Sequence, residues 1–418
     1  MAGAQRRCGF VPVAGPLAAA LLMACTDGAM APGAAARETP IRPASATPPV
    51  PAVAASGDPA DTAPGSAAPP ESGPASNLPL GSAPPSPSGA VSGTGSEPSA
   101  SPRHIEIVGR QLLVDGQPIL LRGVCWNPVP VGARHPEGLD FAGFAQRDAA
   151  QMQELGVNVV RTYEPLLDSA VLDRFAAAGI FVINSVYPWG GAPADVVVER
   201  VRAVRNHPAI LMWAVGNEWN YNGLYVGLSQ EDSVARLNQA AALIKAEDPL
   251  HPVATIYGEL PSPETLAALP AIDVWGINAY RGISFGDLFE RWRERSSAPM
   301  FLSEYGADAY NANLPSYDPD SQAQAVAALT RELFANSSRG SPTDGTSLGG
   351  TLFEWADEWW KDSEGSLSEH DVGGVAPGGG PYPDQVFNEE WWGIVDIQRV
   401  ARPAFSAIRE VYVEAGAH

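Results

Sequence analysis

The run Ala209-Ile210-Leu211-Met212-Trp213-Ala214-Val215-Gly216-Asn217-Glu218-Trp219 decides how this chain is read. Its first part is apolar without alternation, the pattern of a strand buried on both faces in a parallel sheet covered by helices. The run then stops on glycine and presents an amide and a carboxylate where the strand ends. An Asn-Glu pair alone is a weak signal. Its place at the end of a buried strand gives it weight against the bland alternative, a solvated loop glutamate.

Similar runs recur on both sides. Strands are expected at Ile119–Trp126, Val157–Tyr163, Ile180–Tyr187, Ala209–Gly216, Pro252–Tyr257, Ile272–Tyr280, Pro299–Glu304 and Gly350–Trp355. Amphipathic stretches separate them, at Phe141–Leu155, Ser169–Ala178, Ala194–Asn206, Gln230–Glu247, Pro263–Leu269, Phe285–Arg295 and Gln322–Ala335, with Pro403–Tyr412 as a closing helix. This alternation predicts an α/β fold, a (β/α)8 TIM barrel over residues 103–418. Ile105–Val108 and Leu112–Val114 read as a small N-terminal hairpin turned at Gly109. A doubly wound open sheet is the alternative. It often carries a Gly-rich phosphate turn after its first strand, whereas here that strand runs into Cys125-Trp126-Asn127-Pro128.

Ahead of the barrel the texture differs. Arg6 and Arg7 precede an apolar stretch from about Phe10 to Ala24, too short to span a bilayer as a mature helix. It ends Leu22-Met23-Ala24-Cys25 and resembles a bacterial lipoprotein signal over residues 1–25, with Cys25 as the lipid anchor. Residues 26–102 are rich in Ala, Pro, Ser and Gly, a composition expected to form a disordered linker. The expectation is an exported protein, either held in a bacterial cell envelope and touching a membrane only through that anchor, or secreted after plain cleavage.

Charge and cysteine usage exclude other classes. Of 26 Lys/Arg and 47 Asp/Glu, residues 1–102 hold 4 and 6, so nearly all of the net charge of −21 lies in the barrel. An acidic domain repels phosphate backbones, which argues against nucleic acid. Cys125 is the single cysteine after Cys25, so no disulfide can form within the barrel. The six histidines lack metal-ligand spacing,. No metal and no cofactor are expected, and the domain reads as a monomer. Eleven tryptophans suggest stacking on sugar rings, beside the plainer reading that they fill cores,.

In barrels of this type the reacting groups sit at the C-terminal strand ends. Those positions read Trp126, Arg161 with Tyr163, Tyr187, Asn217-Glu218, Tyr257, Asn278 with Tyr280, Glu304 and Glu354-Trp355. Two isolated carboxylates with an arginine and aromatics fit glycosidic bond cleavage, which needs one protonated and one ionised carboxyl. Arg161 and Tyr280 would keep Glu304 ionised. Glu218, beside Trp219 and facing that charge, would hold its proton. Glu354 is the rival carboxylate. The stretch Phe353–Lys361 and the later Glu389-Glu390-Trp391-Trp392-Gly393 read as a sugar-binding cleft wall.

Arg161, Asn217-Glu218, Tyr280, Glu304 and Trp355, in order and on their strands, resemble the clan A glycoside hydrolases over roughly Ile105 to Tyr412. The resemblance implies a retaining mechanism on a β-linked, glucan-like glycan, with Glu304 as nucleophile and Glu218 as acid and then base. It further implies Asn217 on the sugar 2-hydroxyl and Trp355 as the floor of the site; the strand-end reading itself adds Trp126, Tyr163 and Glu354 as substrate-binding candidates. Trp275-Gly276-Ile277-Asn278-Ala279-Tyr280 and Ser303-Glu304-Tyr305-Gly306 look like family 72 β-1,3-glucanosyltransferases. The hairpin and Leu121-Arg122-Gly123-Val124 look like the family 2 catalytic domain. Two alternatives stand beside this. One is a serine hydrolase using Ser284 in Gly282-Ile283-Ser284-Phe285-Gly286, with His370 downstream. The other is a non-catalytic carbohydrate-binding barrel.

Overall fold

The computed structural model describes residues 102–341, 343–361, 365–376 and 379–416. The expected signal segment, Cys25 and the linker lie outside the described residues. In chain order the elements open with β1 (Ile105–Val108), β2 (Gln111–Val114) and β3 (Gln117–Pro118). There follow β4 (Leu121–Cys125), α1 (Phe141–Leu155), β5 (Val159–Arg161), α2 (Ser169–Ala177), β6 (Phe181–Tyr187), α3 (Val196–Val204) and β7 (Ile210–Val215). Next come α4 (Trp219–Asn222), α5 (Gln230–Glu247), β8 (Val253–Gly258), α6 (Pro263–Ala268), β9 (Val274–Asn278), α7 (Leu288–Arg295) and β10 (Met300–Glu304). The short strands β11 (Tyr310–Asn311) and β12 (Ser316–Tyr317) precede α8 (Pro319–Ala335) and β13 (Ser347–Leu352). The pair β14 (Gly374–Val375) and β15 (Phe387–Asn388) and the helix α9 (Pro403–Gly416) complete the chain.

Eight parallel strands close into one barrel in the order β10-β13-β4-β5-β6-β7-β8-β9. The fold is a TIM barrel. Strand alternation divides its apolar residues into two layers. Leu121, Val159, Ile183, Met212, Ile256, Val274, Phe301 and Leu348 draw on all eight strands and fill the interior. Val160, Val182, Trp213 and Val253 face outward and pack under Met152, Leu172, Val201 and Leu237 of the helices. The helices begin where the sequence supplies caps: Asp140, Asp168, Ser229 and Asp318 each accept a hydrogen bond from a first-turn amide,.

The hairpin gains a third strand from Gln117–Pro118 and closes the N-terminal end of the barrel. Ile105 and Leu112 pack with the interior residues of the strand starts. Gln111 Nε2 donates to the Ser338 carbonyl at 2.8 Å and Arg110 Nη2 to the Ser296 carbonyl at 2.6 Å, both in segments leading into strands.

Two sequence expectations are corrected by this layering. Trp126 faces away from the barrel axis, because Cys125 before it points inward to the Ser303 carbonyl. Its ring is fully buried against Phe141 and Phe175, with centroids at 5.1 and 4.8 Å. Trp355 is equally buried, in the layer beneath the helices and near Phe405. β13 ends at Leu352, so strand alternation no longer predicts the side on which Trp355 falls. Neither indole reaches the mouth.

Trp126 Nε1 donates to Asp148 Oδ2 at 2.9 Å, and Arg399 grips the same carboxylate through Nε and Nη2, both at 3.1 Å. Asp148 and Arg399 are 0% and 4% exposed. Breaking such a pair leaves an uncompensated buried charge. Asp148→Ala is therefore expected to lower unfolding free energy by about 3–5 kcal/mol, measured from urea midpoints; a loss as small as that of a surface salt bridge would contradict the burial.

Candidate active site

Glu304 is the last residue of β10 and Arg161 the last of β5, so both side chains reach the C-terminal mouth. Arg161 Nη1 donates to Glu304 Oε1 at 2.8 Å and to the Ser303 carbonyl at 3.0 Å. The Tyr163 hydroxyl donates to the same Oε1 at 2.8 Å, and the Tyr280 hydroxyl donates to Oε2 at 3.0 Å. A carboxyl surrounded only by donors is held as the acceptor. Burial first, then neighbouring charges including Glu304, push both phenols well above the ordinary tyrosine value, so both keep the protons they donate.

Glu218 is positioned by a different device. β7 ends at Val215, and the chain turns through Gly216 at φ 72°. A Cβ at Gly216 would meet the Trp219 ring at 2.7 Å, so only glycine fits this turn. Glu218 itself sits in the left-handed region at φ 46°, uncommon for a residue with a side chain,. Its amide donates to the Ile256 carbonyl of β8 at 3.1 Å, and Trp219 Nε1 to Thr255 Oγ1 at 3.0 Å. Asn278 Nδ2 donates to Glu218 Oε1 at 3.1 Å, while Asn278 Oδ1 accepts the Ser303 hydroxyl at 2.7 Å. Since the Ser303 bond occupies the amide oxygen, its nitrogen is the end that meets Glu218. Burial, and then the charge of Glu304, push the Glu218 carboxyl up to about 7 against the bond from Asn278. The two glutamates therefore sit in opposite environments within one site, Glu304 among donors and Glu218 pushed toward keeping its proton, as nucleophile and acid require,.

Asn217 links them. Its Oδ1 accepts from Arg161 Nη2 at 2.6 Å and its Nδ2 donates to the Tyr225 hydroxyl at 2.9 Å. Phe353 stands edge-on to Tyr163 and Tyr280, with Cys125 and Trp392 in the same buried cluster. Over the Phe353 ring, at 4.2 Å, lies the Lys361 ammonium, paired with Glu389 at 3.1 Å and Glu358 at 3.6 Å. Asn127 Nδ2 also binds Glu358. Glu354 is 1% exposed, and burial with the charge of Glu358 raises its carboxyl well above the carboxylate range. It makes no contact with the Arg161 and tyrosine donors that hold Glu304.

The Trp- and acid-rich stretch is a folded wall. Arg402 holds Asp357 through two 2.6 Å bonds, and His370 is stacked between Trp359 and Trp391 at 5.3 and 3.5 Å. Trp355 and Trp392 are buried in it, while Trp359, Trp360 and Trp391 keep partial exposure. Ser284 is exposed and its Oγ accepts the Gly286 amide at 3.1 Å. His370 belongs to the tryptophan stack, and among the described residues no hydrogen bond joins it to Ser284. Sequence reasoning gave no role to Ser303, Tyr225, Lys361 or Asn278. For Asn278 a signal existed, since it lies two residues before Tyr280 at the same strand end.

The family model for the glycosyl hydrolases family 2, TIM barrel domain, matches residues 187–321. The barrel is similar to a family 2 barrel. β-Glucuronidase of Sus scrofa is 27% identical over 230 residues, covering 49% of this chain and 33% of that protein. The Homo sapiens β-glucuronidase is 26% identical over 230 residues, with 49% and 34% covered. The chain thus spans about a third of the length of these relatives. Among solved structures, a β-glucuronidase of Faecalibacterium prausnitzii aligns with TM-score 0.56 and 19% identity over 75% of this chain and 52% of that one. A family 2 β-galacturonidase of Eisenbergiella tayi, bound to galacturonate, gives 0.54 and 20% over 75% and 54%. At these identities the structural likeness speaks for the fold.

The bond from Asn278 favours the charged form of Glu218. Asn278→Ala is expected to move the Glu218 midpoint upward from about 7, followed by carbon-13 NMR titration of its carboxyl; a midpoint that stays or falls would contradict the bond.

Proposed function

We propose that the barrel is a retaining β-glycosidase in which Glu304 is the nucleophile and Glu218 the acid/base. The observation that carries this is the contrast between the two carboxyls. Glu304 accepts from a guanidinium and two phenols, while Glu218 receives one amide and is pushed up to about 7. The family 2 match across residues 187–321 supports the same reading, because both glutamates fall inside it.

In the first step a Glu304 oxygen attacks the anomeric carbon as the glycosidic bond breaks, and Glu218 gives its proton to the leaving oxygen. Arg161, Tyr163 and Tyr280 position the attacking carboxylate, and as its charge passes into the glycosyl ester their donors relax together. In the second step the ionised Glu218 takes a proton from the incoming hydroxyl, whose oxygen displaces Glu304. Asn217, fixed by Arg161 and Tyr225, faces the reacting sugar from between the two acids.

The glycone is proposed to be a neutral, glucan-like sugar. Lys361, over the Phe353 ring, is already paired with Glu389 and Glu358 and feels the charge of Glu354. A sugar carboxylate would face the nucleophilic carboxylate of Glu304, a repulsive arrangement. The likeness to the glucanosyltransferase stretches around Asn278 and Glu304 supports the same choice. The second reading is a β-uronide, favoured by the names of the relatives and by Lys361 as the group that would meet its carboxylate.

Incubation with 2-deoxy-2-fluoro-β-glucosyl fluoride should leave one sugar mass on the peptide containing Glu304, read by mass spectrometry. Label on Glu354 would overturn the assignment, and labelling only by the corresponding glucuronyl reagent would favour the uronide. Because Glu218 must begin protonated, kcat/KM is expected to fall as pH rises through about 7. Glu218→Gln should lower kcat by about 10²–10⁴ for substrates whose leaving group needs a proton and remove that alkaline limb; a limb that persists would assign it to another group.

A further inference from the structure

Two tyrosines that take no part in the bond-making steps lie close enough to Glu218 to feel its charge. Tyr221 lies on α4 and Tyr225 on the turn that follows, 37% and 50% exposed. Both are fixed in place. The Tyr221 ring lies on the bare backbone of Gly258, where a Cβ would fall 2.0 Å from its Cε2. Asn220 clamps that glycine, accepting from its amide at 2.9 Å and donating to its carbonyl at 3.0 Å. Tyr225 accepts from Asn217 through its hydroxyl.

The backbone beneath Tyr225 is held in an unfavourable form. Leu224 and Tyr225 are consecutive non-glycine residues at φ 54° and 60°. Such conformations persist where their surroundings impose them, and they concentrate at functional sites. Here Asn222 Oδ1 accepts the Tyr225 amide at 3.2 Å, and Asn222 Nδ2 donates to the Asn217 carbonyl at 2.8 Å. The Gly190 amide donates to the Leu224 carbonyl at 2.8 Å, and the Leu224 side chain is fully buried. The turn thus ties a half-exposed ring to the residue adjoining the proton donor. Desolvation and then the charge of Glu218 raise the Tyr225 hydroxyl to about 12, ahead of the smaller effect of Glu304.

We infer that Tyr221 and Tyr225 form a binding subsite for the pyranose ring on the leaving-group side of the scissile bond. This rests on the retaining reading above. The group that Glu218 protonates is the first sugar of the departing chain, and flat aromatic faces match the C–H face of such a ring. The same site holds an incoming sugar. Its hydroxyl passes its proton to Glu218 while its oxygen attacks the anomeric carbon and Glu304 departs, forming a new glycosidic bond. Occupied by an incoming sugar, the subsite lets the protein transfer glycosyl groups between sugars.

The test compares two substrates with one glycone: β-glucosyl fluoride, which has no ring on the leaving side, and a β-1,3-linked glucose trisaccharide. In Tyr221→Ala and Tyr225→Ala, kcat/KM should fall about tenfold further on the trisaccharide than on the fluoride, the scale of one aromatic contact. Tyr225→Phe keeps the ring and should retain the wild-type ratio between the two substrates. Added disaccharide should raise fluoride turnover in wild type with formation of longer products, and do so less in the alanine variants. Equal losses on both substrates, or no loss on either, would overturn the subsite. If wild type cleaves neither substrate, the neutral, glucan-like glycone of the reading above fails, while labelling of Glu304 still decides the roles of the two glutamates. The subsite is then judged by calorimetry with the trisaccharide, where weaker binding by the alanine variants supports it and unchanged binding overturns it.

Discussion

The contact between Arg161 and Glu304 governs the mouth of this barrel. Both side chains are nearly dry, at 1% and 9% exposure. Removing two ions from water costs several kcal/mol each, so such a pair is poor evidence of a gain in stability. Its value is geometric. One guanidinium fixes the Glu304 carboxylate, the Ser303 carbonyl and the Asn217 amide at once. Through Asn217 it reaches the Tyr225 turn, and through the charge on Glu304 it faces an environment that raises Glu218. The burial that makes the pair costly is also what lets a charge on one glutamate act strongly on the other.

Around this centre the protein uses few rigid parts. All four groups that touch the glutamates, Arg161, Tyr163, Asn278 and Tyr280, lie at strand ends or within two residues of them. The barrel sheet thus sets their spacing, and loops supply only the rim. The wall beyond β13 is bound to the barrel by Arg402 on Asp357 and by the tryptophan–histidine stack, so it too is fixed rather than draped.

Much of this was legible in the sequence because it depends on local pattern. Unbroken apolar runs gave the strands, amphipathic stretches gave the helices, and the strand-end rule brought Arg161, Glu218, Tyr280 and Glu304 to one face. What escaped has physical causes. Trp126 and Trp355 share the chemistry of sugar-facing aromatics, and their side of the sheet depended on where β4 and β13 stop. Ser303 acts by carbonyl and hydroxyl contacts that residue type does not announce. Tyr225 depends on two left-handed residues in a turn without glycine at those positions, a conformation that sequence pattern argues against. Lys361 reads as one charge in an acidic stretch until Phe353 places it over the mouth.

The plug formed by β1–β3 also fixes an orientation. The barrel begins where the hairpin seals the strand starts, and the catalytic groups open at the strand ends, on the opposite face. Pro102 and β1 therefore lie at the base of the barrel. A molecule that enters at the strand ends meets only the rim, and the three-stranded plug stays out of its path.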